Sequence, residues 1–249
     1  MIVWITGASA GFGAAMVRLF VARGHCVLGI ARRGERLQAL RAELGEAFCP
    51  LVLDMADTAA IAPALTALPQ EWREPDVLIN NAGLARGMTP AQESSLADWQ
   101  EMVQVNILGL LAITRAVLPG MVARNRGHII NLGSTAGNWP YFGGNVYGAS
   151  KAFVKQFSQN LRADLTGTKV RVSNVEPGLC GGTEFSQVRF HGDADKAAQV
   201  YSRVEPLSAE DIADTVLWIA ERPAHVNINR VEIMPVAQSF AGLSVHRES

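Results

Sequence analysis

Short, unbroken runs of apolar and β-branched residues recur along this chain, at Ile2–Thr6, Cys26–Ala31, Phe48–Leu53, Val77–Asn80, His128–Leu132, Lys169–Val175 and Arg230–Met234. Amphipathic stretches of helical length lie between most of them, at Phe12–Arg23, Gly34–Leu44, Thr58–Leu68, Ser95–Arg124, Asn145–Leu165 and Ala209–Ala220. Strands that stay apolar without alternating are buried on both faces, as happens in parallel sheets covered by helices. Right-handed crossovers then predict a single α/β domain over residues 1–249, a doubly wound parallel sheet of about seven strands with helices on both faces. The one long irregular stretch, Gly181 to Pro206, follows a strand and reads as a substrate lid.

Composition narrows the function classes. Lys plus Arg number 22 and Asp plus Glu 23. A net charge of −1 gives no basic field for nucleic acid or anionic lipid. Only 18% of residues are charged, against roughly 25% in an average soluble domain. Either the interior is large or part of the surface is covered by partner subunits. The apolar stretch Met102 to Val122 contains Gln104, Asn106, Thr114 and Arg115, which argues against a lipid-facing span. The start, Met1 to Ile5, has no basic leader. Cys26, Cys49 and Cys180 are odd in number and scattered. They suggest neither a disulfide framework nor a zinc site, and a cytoplasmic location is expected.

In such a sheet, sites lie beyond the carboxyl ends of the strands. Gly7-Ala8-Ser9-Ala10-Gly11-Phe12-Gly13 follows the first strand and opens the first helix. Glycines there let backbone N–H groups approach a pyrophosphate at the helix N-terminus, so a Rossmann-type dinucleotide site is expected at Gly7, Ser9, Ala10, Gly11, Phe12 and Gly13. The second strand ends Ala31-Arg32-Arg33. An acid there would bind the ribose 2′-hydroxyl of NAD, whereas Arg32 and Arg33, with the Ser9 hydroxyl, suit the 2′-phosphate of NADP. The alternative is a solvated pair with Glu35 as partner. Asp54 and Met55 are placed to meet the adenine edge. Asn81, Ala82 and Gly83 would present backbone to the ribose, while Asn81 would also serve a structural role by holding adjacent loops together.

Tyr147 and Lys151 are four apart on a predicted helix and share one face. Ser134 follows the fifth strand, and Asn106 sits in an otherwise apolar helix. Singly, each has an ordinary explanation in packing, solvation or capping. Together they suit hydride transfer to a carbonyl. A phenol of pKa ≈ 10 is a poor acid–base group near neutrality. A neighbouring ammonium, Lys151, and the positive nicotinamide would lower it by stabilising phenolate, and Lys151 can also hold the nicotinamide ribose. Ser134 would orient the carbonyl oxygen, and Asn106 would support a water that relays the proton.

Thr6–Gly13, Asn80–Gly83, Asn106, Ser134, Tyr147–Lys151 and Pro177-Gly178 resemble the short-chain dehydrogenase/reductase family over nearly the whole chain. The resemblance implies a catalytic tetrad of Asn106, Ser134, Tyr147 and Lys151. It also implies that Pro177, Gly178 and Thr183 frame the nicotinamide. Longer stretches, Gly127–Asn131 to Ser134–Gly137, Glu176–Gly178 with Gly181–Phe185, and Pro223–Asn229 with the tail through Leu243–Arg247, resemble its bacterial NADP-dependent 3-hydroxy acid dehydrogenases. That implies short 3-hydroxy acids, or malonic semialdehyde in reverse, as the small-molecule substrate. Its carboxylate needs a cation; Arg189 is the first choice, ahead of His191, Lys196 and Arg203. Trp139 and Tyr141 would wall the pocket or pack in the core. Two alternatives stay open: a reductase of neutral or carrier-bound carbonyls, and a non-catalytic dinucleotide sensor. The helix Ser95–Arg124 is apolar nearly all round and requires cover on more than one side. With the family's habit, this implies a homotetramer, in which the tail from Ala237, with Phe240 and Leu243, would reach a neighbouring subunit.

Overall fold

The structure, a computed structural model, describes residues 1–240. Strands β1 (Ile2–Thr6), β2 (Cys26–Ala31), β3 (Phe48–Val52), β4 (Val77–Asn80), β5 (Gly127–Leu132), β6 (Val170–Pro177) and β7 (Arg230–Ile233) form one sheet in the order β3-β2-β1-β4-β5-β6-β7. Every pairing is parallel. The chain winds outward from β1 to β3 and then crosses to β4. The connections therefore part above the carboxyl ends of β1 and β4, which opens a crevice there.

Helices α1 (Gly11–Ala22), α2 (Gly34–Leu44) and α9 (Ala209–Ala220) share one core, and α3 (Thr58–Thr66), α5 (Leu110–Ala123) and α6 (Asn145–Asp164) share the other. Successive residues of β1 feed opposite cores. Val3 and Ile5 pack with Met16, Phe20 and Ile212, while Trp4 packs with Ile61, Ile113 and Leu161. This is why the strands are apolar without alternation. Full burial of a side chain such as Phe20 contributes about 2–3 kcal/mol.

Two sequence expectations change in detail. The long helix Ser95–Arg124 is α4 (Leu96–Val103) and α5 joined by a π-helical turn, Gln104–Gly109. Leu96–Ala123 is long and apolar enough to cross a membrane by length and composition. Here it forms part of the layer over the sheet, with Asn106 and Thr114 buried and hydrogen-bonded. Leu96, Val103, Leu108 and Val122 are exposed on its outer side.

The stretch Gly181 to Pro206 is not wholly irregular; it contains α7 (Phe185–Arg189) and α8 (Ala194–Gln199). Its neck is pinned by Gly181 N donating to Leu207 O at 2.9 Å and Leu207 N to Leu179 O at 3.0 Å. In the tail, the Phe240 ring packs against Trp139, ring centres 4.6 Å apart and planes tilted by 49°. Leu243 lies outside the described residues.

Candidate active site

A groove of about 640 Å3 runs across the carboxyl ends of the strands. It is lined by Gly7, Ser9, Ala10, Gly11 and Phe12 from the glycine loop, Arg32 and Arg33 after β2, and Asp54 and Met55 after β3. Asn81, Ala82 and Gly83 follow from β4, then Ser134, Tyr147, Lys151, Pro177, Gly178, Thr183 and Arg189. Residues far apart in sequence thus meet along one channel. Trp139 and Tyr141 line it too, in keeping with the pocket-wall reading.

The glycine loop is built for close approach. Gly7 and Gly11 have φ of +68° and +50°, where a side chain would be strained. A Cβ on Gly7 would meet the Asn81 amide at 2.9 Å. Gly13 is not in the groove; its Cα faces the Gly7 carbonyl so closely that a Cβ would collide. Its role is to seat α1 against β1 rather than to touch a ligand. Asn81 performs the structural task expected of it. Its amide donates to Thr6 O at 2.8 Å, and its backbone N donates to Thr6 Oγ1 at 3.0 Å.

At the adenosine end, Arg33 Nε and Nη2 donate to Ser9 Oγ at 3.2 and 3.1 Å. Arg33 Nη1 donates to Glu184 at 2.7 Å. Arg33 is therefore paired with Glu184 and Ser9, not with Glu35. Ser9 accepts both bonds, which leaves its hydroxyl proton to donate elsewhere. Arg32 is 60% exposed at its side chain, with Asp54 at 3.9 Å. Arginines stand where an NAD site would place an acid. A donor hydroxyl and guanidinium groups beside a glycine cradle fit the 2′-phosphate and pyrophosphate of NADP.

At the reacting end, α6 packs against the turn Thr135–Gly137 that follows Ser134. A Cβ on Gly137 would lie 2.7 Å from the Lys151 backbone, and one on Gly148 would lie 3.0 Å from Ala136 O. The small residues of Tyr-Gly-Ala-Ser-Lys allow this contact, which sets Tyr147 beside Ser134. Ser134 Oγ accepts from Ala136 N at 3.1 Å and donates to Pro177 O at 3.4 Å. Lys151 Nζ donates to Leu132 O at 2.8 Å.

The electrostatics correct one expectation. Burial pushes the Tyr147 phenol up to about 12, opposed by the charge of Arg189 and a hydrogen bond with Ser134. Burial brings the Lys151 ammonium down to about 8, and it lies 5.8 Å from the Tyr147 ring centre. The cation opposing the effect of burial is thus Arg189, not Lys151.

The Asn106 side chain is engaged with protein groups. Nδ2 donates to Leu84 O at 2.9 Å and Ser150 Oγ at 3.1 Å, while Oδ1 accepts from Leu84 N at 2.9 Å. Ser150 in turn donates to Tyr147 O at 2.8 Å. The Asn106 side chain cross-links the Leu84 loop to α6 and lies behind the groove.

Of the four lid cations, only Arg189 lines the groove. His191 faces Asp98, and Lys196 pairs with Asp193. The Arg189 guanidinium sits over Tyr147 at 5.1 Å, Phe185 at 5.5 Å and Tyr141 at 5.7 Å, and Nη2 donates to the Tyr141 hydroxyl. Its Nε is buried with no hydrogen-bond partner. A buried, unpartnered donor in a ligand groove is suited to an anion. Cys180 also lines the groove, but burial pushes its thiol up to about 12, far from a nucleophilic thiolate. Sequence reasoning gave no role to Glu184 or Ser150, because their partners lie on other elements.

Residues 1–194 match the family described as short chain dehydrogenase. The chain is 62% identical over 247 residues to the NADP-dependent 3-hydroxy acid dehydrogenase YdfG of Salmonella typhi, covering 99% of this chain and 100% of that one. It is 52% identical over 245 residues to the serine 3-dehydrogenase of Agrobacterium fabrum, with 98% of each covered. Among solved structures, the closed form of a serine dehydrogenase complexed with NADP+ superposes with a TM-score of 0.98 at 58% identity, over 100% of both chains.

Proposed function

The chain belongs to the short-chain dehydrogenase family, and on that premise we propose that it oxidises the hydroxyl of short 3-hydroxy acids with NADP. L-allo-threonine, L-serine and 3-hydroxypropanoate are the expected substrates, with reduction of malonic semialdehyde as the reverse. The observation that carries the acid class is Arg189, whose buried Nε has no partner and whose guanidinium overlies Tyr147.

NADP, when bound, supplies the hydride acceptor, or the donor in the reverse direction. The glycine loop and the Ser9–Arg32–Arg33 end would hold it, with Asp54 and Met55 at the adenine and Pro177, Gly178 and Thr183 beside the nicotinamide. Ser134 Oγ orients the reacting oxygen by hydrogen bonding. Tyr147 takes the hydroxyl proton during oxidation and returns it during reduction. Arg189 is the cation that favours its phenolate form, and Lys151, which donates to Leu132 O, would hold the nicotinamide ribose. Arg189 also receives the substrate carboxylate, which sets the hydroxyl-bearing carbon near Tyr147. Asn106 keeps α6 in register through Ser150.

Initial rates with NADP across 3-hydroxy acids and neutral alcohols test the reading. Wild type should favour the acids, and Arg189→Ala should raise KM for the acids while leaving KM for neutral alcohols close to wild type. An unchanged acid-to-alcohol ratio in the variant would return the site to a neutral or carrier-bound carbonyl. The exposed Leu96, Val103, Leu108 and Val122 support a homotetramer built on the α4–α5 helix.

A further inference from the structure

The helix α7 touches both ends of the groove. Glu184 precedes it, and Arg189 is its last residue. Glu184 Oε2 accepts from Arg33 Nη1 at 2.7 Å, and Oε1 lies 2.9 Å from Arg36 Nη1. One carboxylate thus holds two guanidinium groups, one from the end of β2 and one from α2. All three side chains are only 37–43% exposed. The arginines hold the Glu184 carboxyl below its usual range. At the far end, Arg189 overlies Tyr147 at 5.1 Å, and its carbonyl accepts from Gly87 N at 2.8 Å. Phe185, the first residue of the helix, packs on Tyr147 with ring centres 5.6 Å apart.

We propose that Glu184 is a positioning residue: by binding Arg33 and Arg36 at the adenosine end, it anchors the start of α7 and so sets Arg189 over Tyr147 at the reacting end. The short helix transmits the anchor, since five residues leave little room for slack. Glu184 also places a negative charge beside the Arg33–Ser9 pair that faces the cofactor 2′-phosphate. Anchoring the lid therefore opposes phosphate binding, and the two effects of removing the carboxylate have opposite signs. A general structural role has no such signature. The substrate consequence rests on the proposed function, because it assumes that Arg189 receives a carboxylate.

The test compares Glu184→Gln and Glu184→Asp with wild type. In Glu184→Gln, KM for 3-hydroxypropanoate should rise about fivefold while kcat falls less than about twofold, because saturating acid restores Arg189 to its place. The Kd for NADP, read by calorimetry without substrate, should fall about twofold as the like charge is removed. Trypsin should cut the apo lid, after Arg189, Lys196 or Arg203, about fivefold faster at an unchanged Tm. Glu184→Asp, which keeps the charge, should recover most of each effect. The inference is overturned by lid cleavage within twofold of wild type, or by NADP binding that weakens together with a fall in Tm. The trypsin and Kd readings need no substrate. A wild type that turned over no 3-hydroxy acid would thus refute the proposed function and still leave the anchor decided by those two readings.

Discussion

The guanidinium carbon of Arg189 lies 5.1 Å from the centre of the Tyr147 ring, nearer than Lys151 Nζ at 5.8 Å. Burial holds the phenol up to about 12, and Arg189 is the charge that works against it. Removing Arg189 raises the Tyr147 pKa further and lowers the phenolate fraction at any given pH. For oxidation, where Tyr147 acts as base, the rising limb of kcat/KM should move to higher pH in Arg189→Ala, with a severalfold loss of activity at any fixed pH on that limb. A neutral alcohol is the right substrate, because it separates this effect from carboxylate binding. A limb at the same pH in both proteins would leave Tyr147 indifferent to Arg189.

Arg33 spends three of its donor contacts on Ser9 and Glu184. Arg32 has only a 3.9 Å approach to Asp54 among the described residues. Arg32 is therefore the freer of the two for a 2′-phosphate. Arg32→Asp exchanges a cation for an anion at that point. Its Kd for NADP should rise about 50-fold or more, and its Kd for NAD should change less than about threefold. Equal affinity of the wild type for both cofactors would contradict the assignment.

Much of this site was readable from local pattern, for a physical reason. Strand ends, glycine turns and the Tyr147–Lys151 spacing are short-range features, and a parallel sheet gathers strand ends at one edge. Cys26–Ala31 and Gly34–Leu44 form as expected to the residue, since burial and the turn between them act locally. The π-turn at Gln104–Gly109 was not readable. It depends on Asn106 bonding the Leu84 backbone, and on Gly109 lying against the Met55 carbonyl. Glu184 meets Arg33 across 151 positions, and no periodicity encodes that contact. The desolvation of Tyr147 and Lys151 is not legible either, because spacing reveals a neighbouring ammonium but neither its burial nor a guanidinium delivered by the lid.

The outer side of the α4–α5 helix carries Leu96, Val103, Leu108 and Val122 at 66, 37, 42 and 39% exposure. Apolar residues grouped on one helix face mark an association surface. Leu108→Glu should place a charge in it and shift the assembly toward smaller species in sedimentation velocity at micromolar concentration. Wild type sedimenting as a monomer would remove the oligomer altogether.

Lys151 supplies a prediction in which stability and activity diverge. Its side chain is buried, and its ammonium titrates at about 8 in the folded protein, against roughly 10.4 when unfolded. The folded state therefore loses its proton first as pH rises. Between these values the unfolded chain binds more protons, so stability rises with pH through that window. Below about pH 8 the protein carries the whole burial cost of the charge, about 3 kcal/mol. Lys151→Met removes that cost but leaves the Leu132 carbonyl without its donor at 2.8 Å, which takes back about 1 kcal/mol. The variant should be inactive yet more stable at pH 7 by about 2 kcal/mol, read as a higher urea midpoint. The advantage should shrink as pH approaches 10, where the wild-type amine is neutral. Matching midpoints at pH 7 would mean that interactions in the folded site already offset the burial of the ammonium.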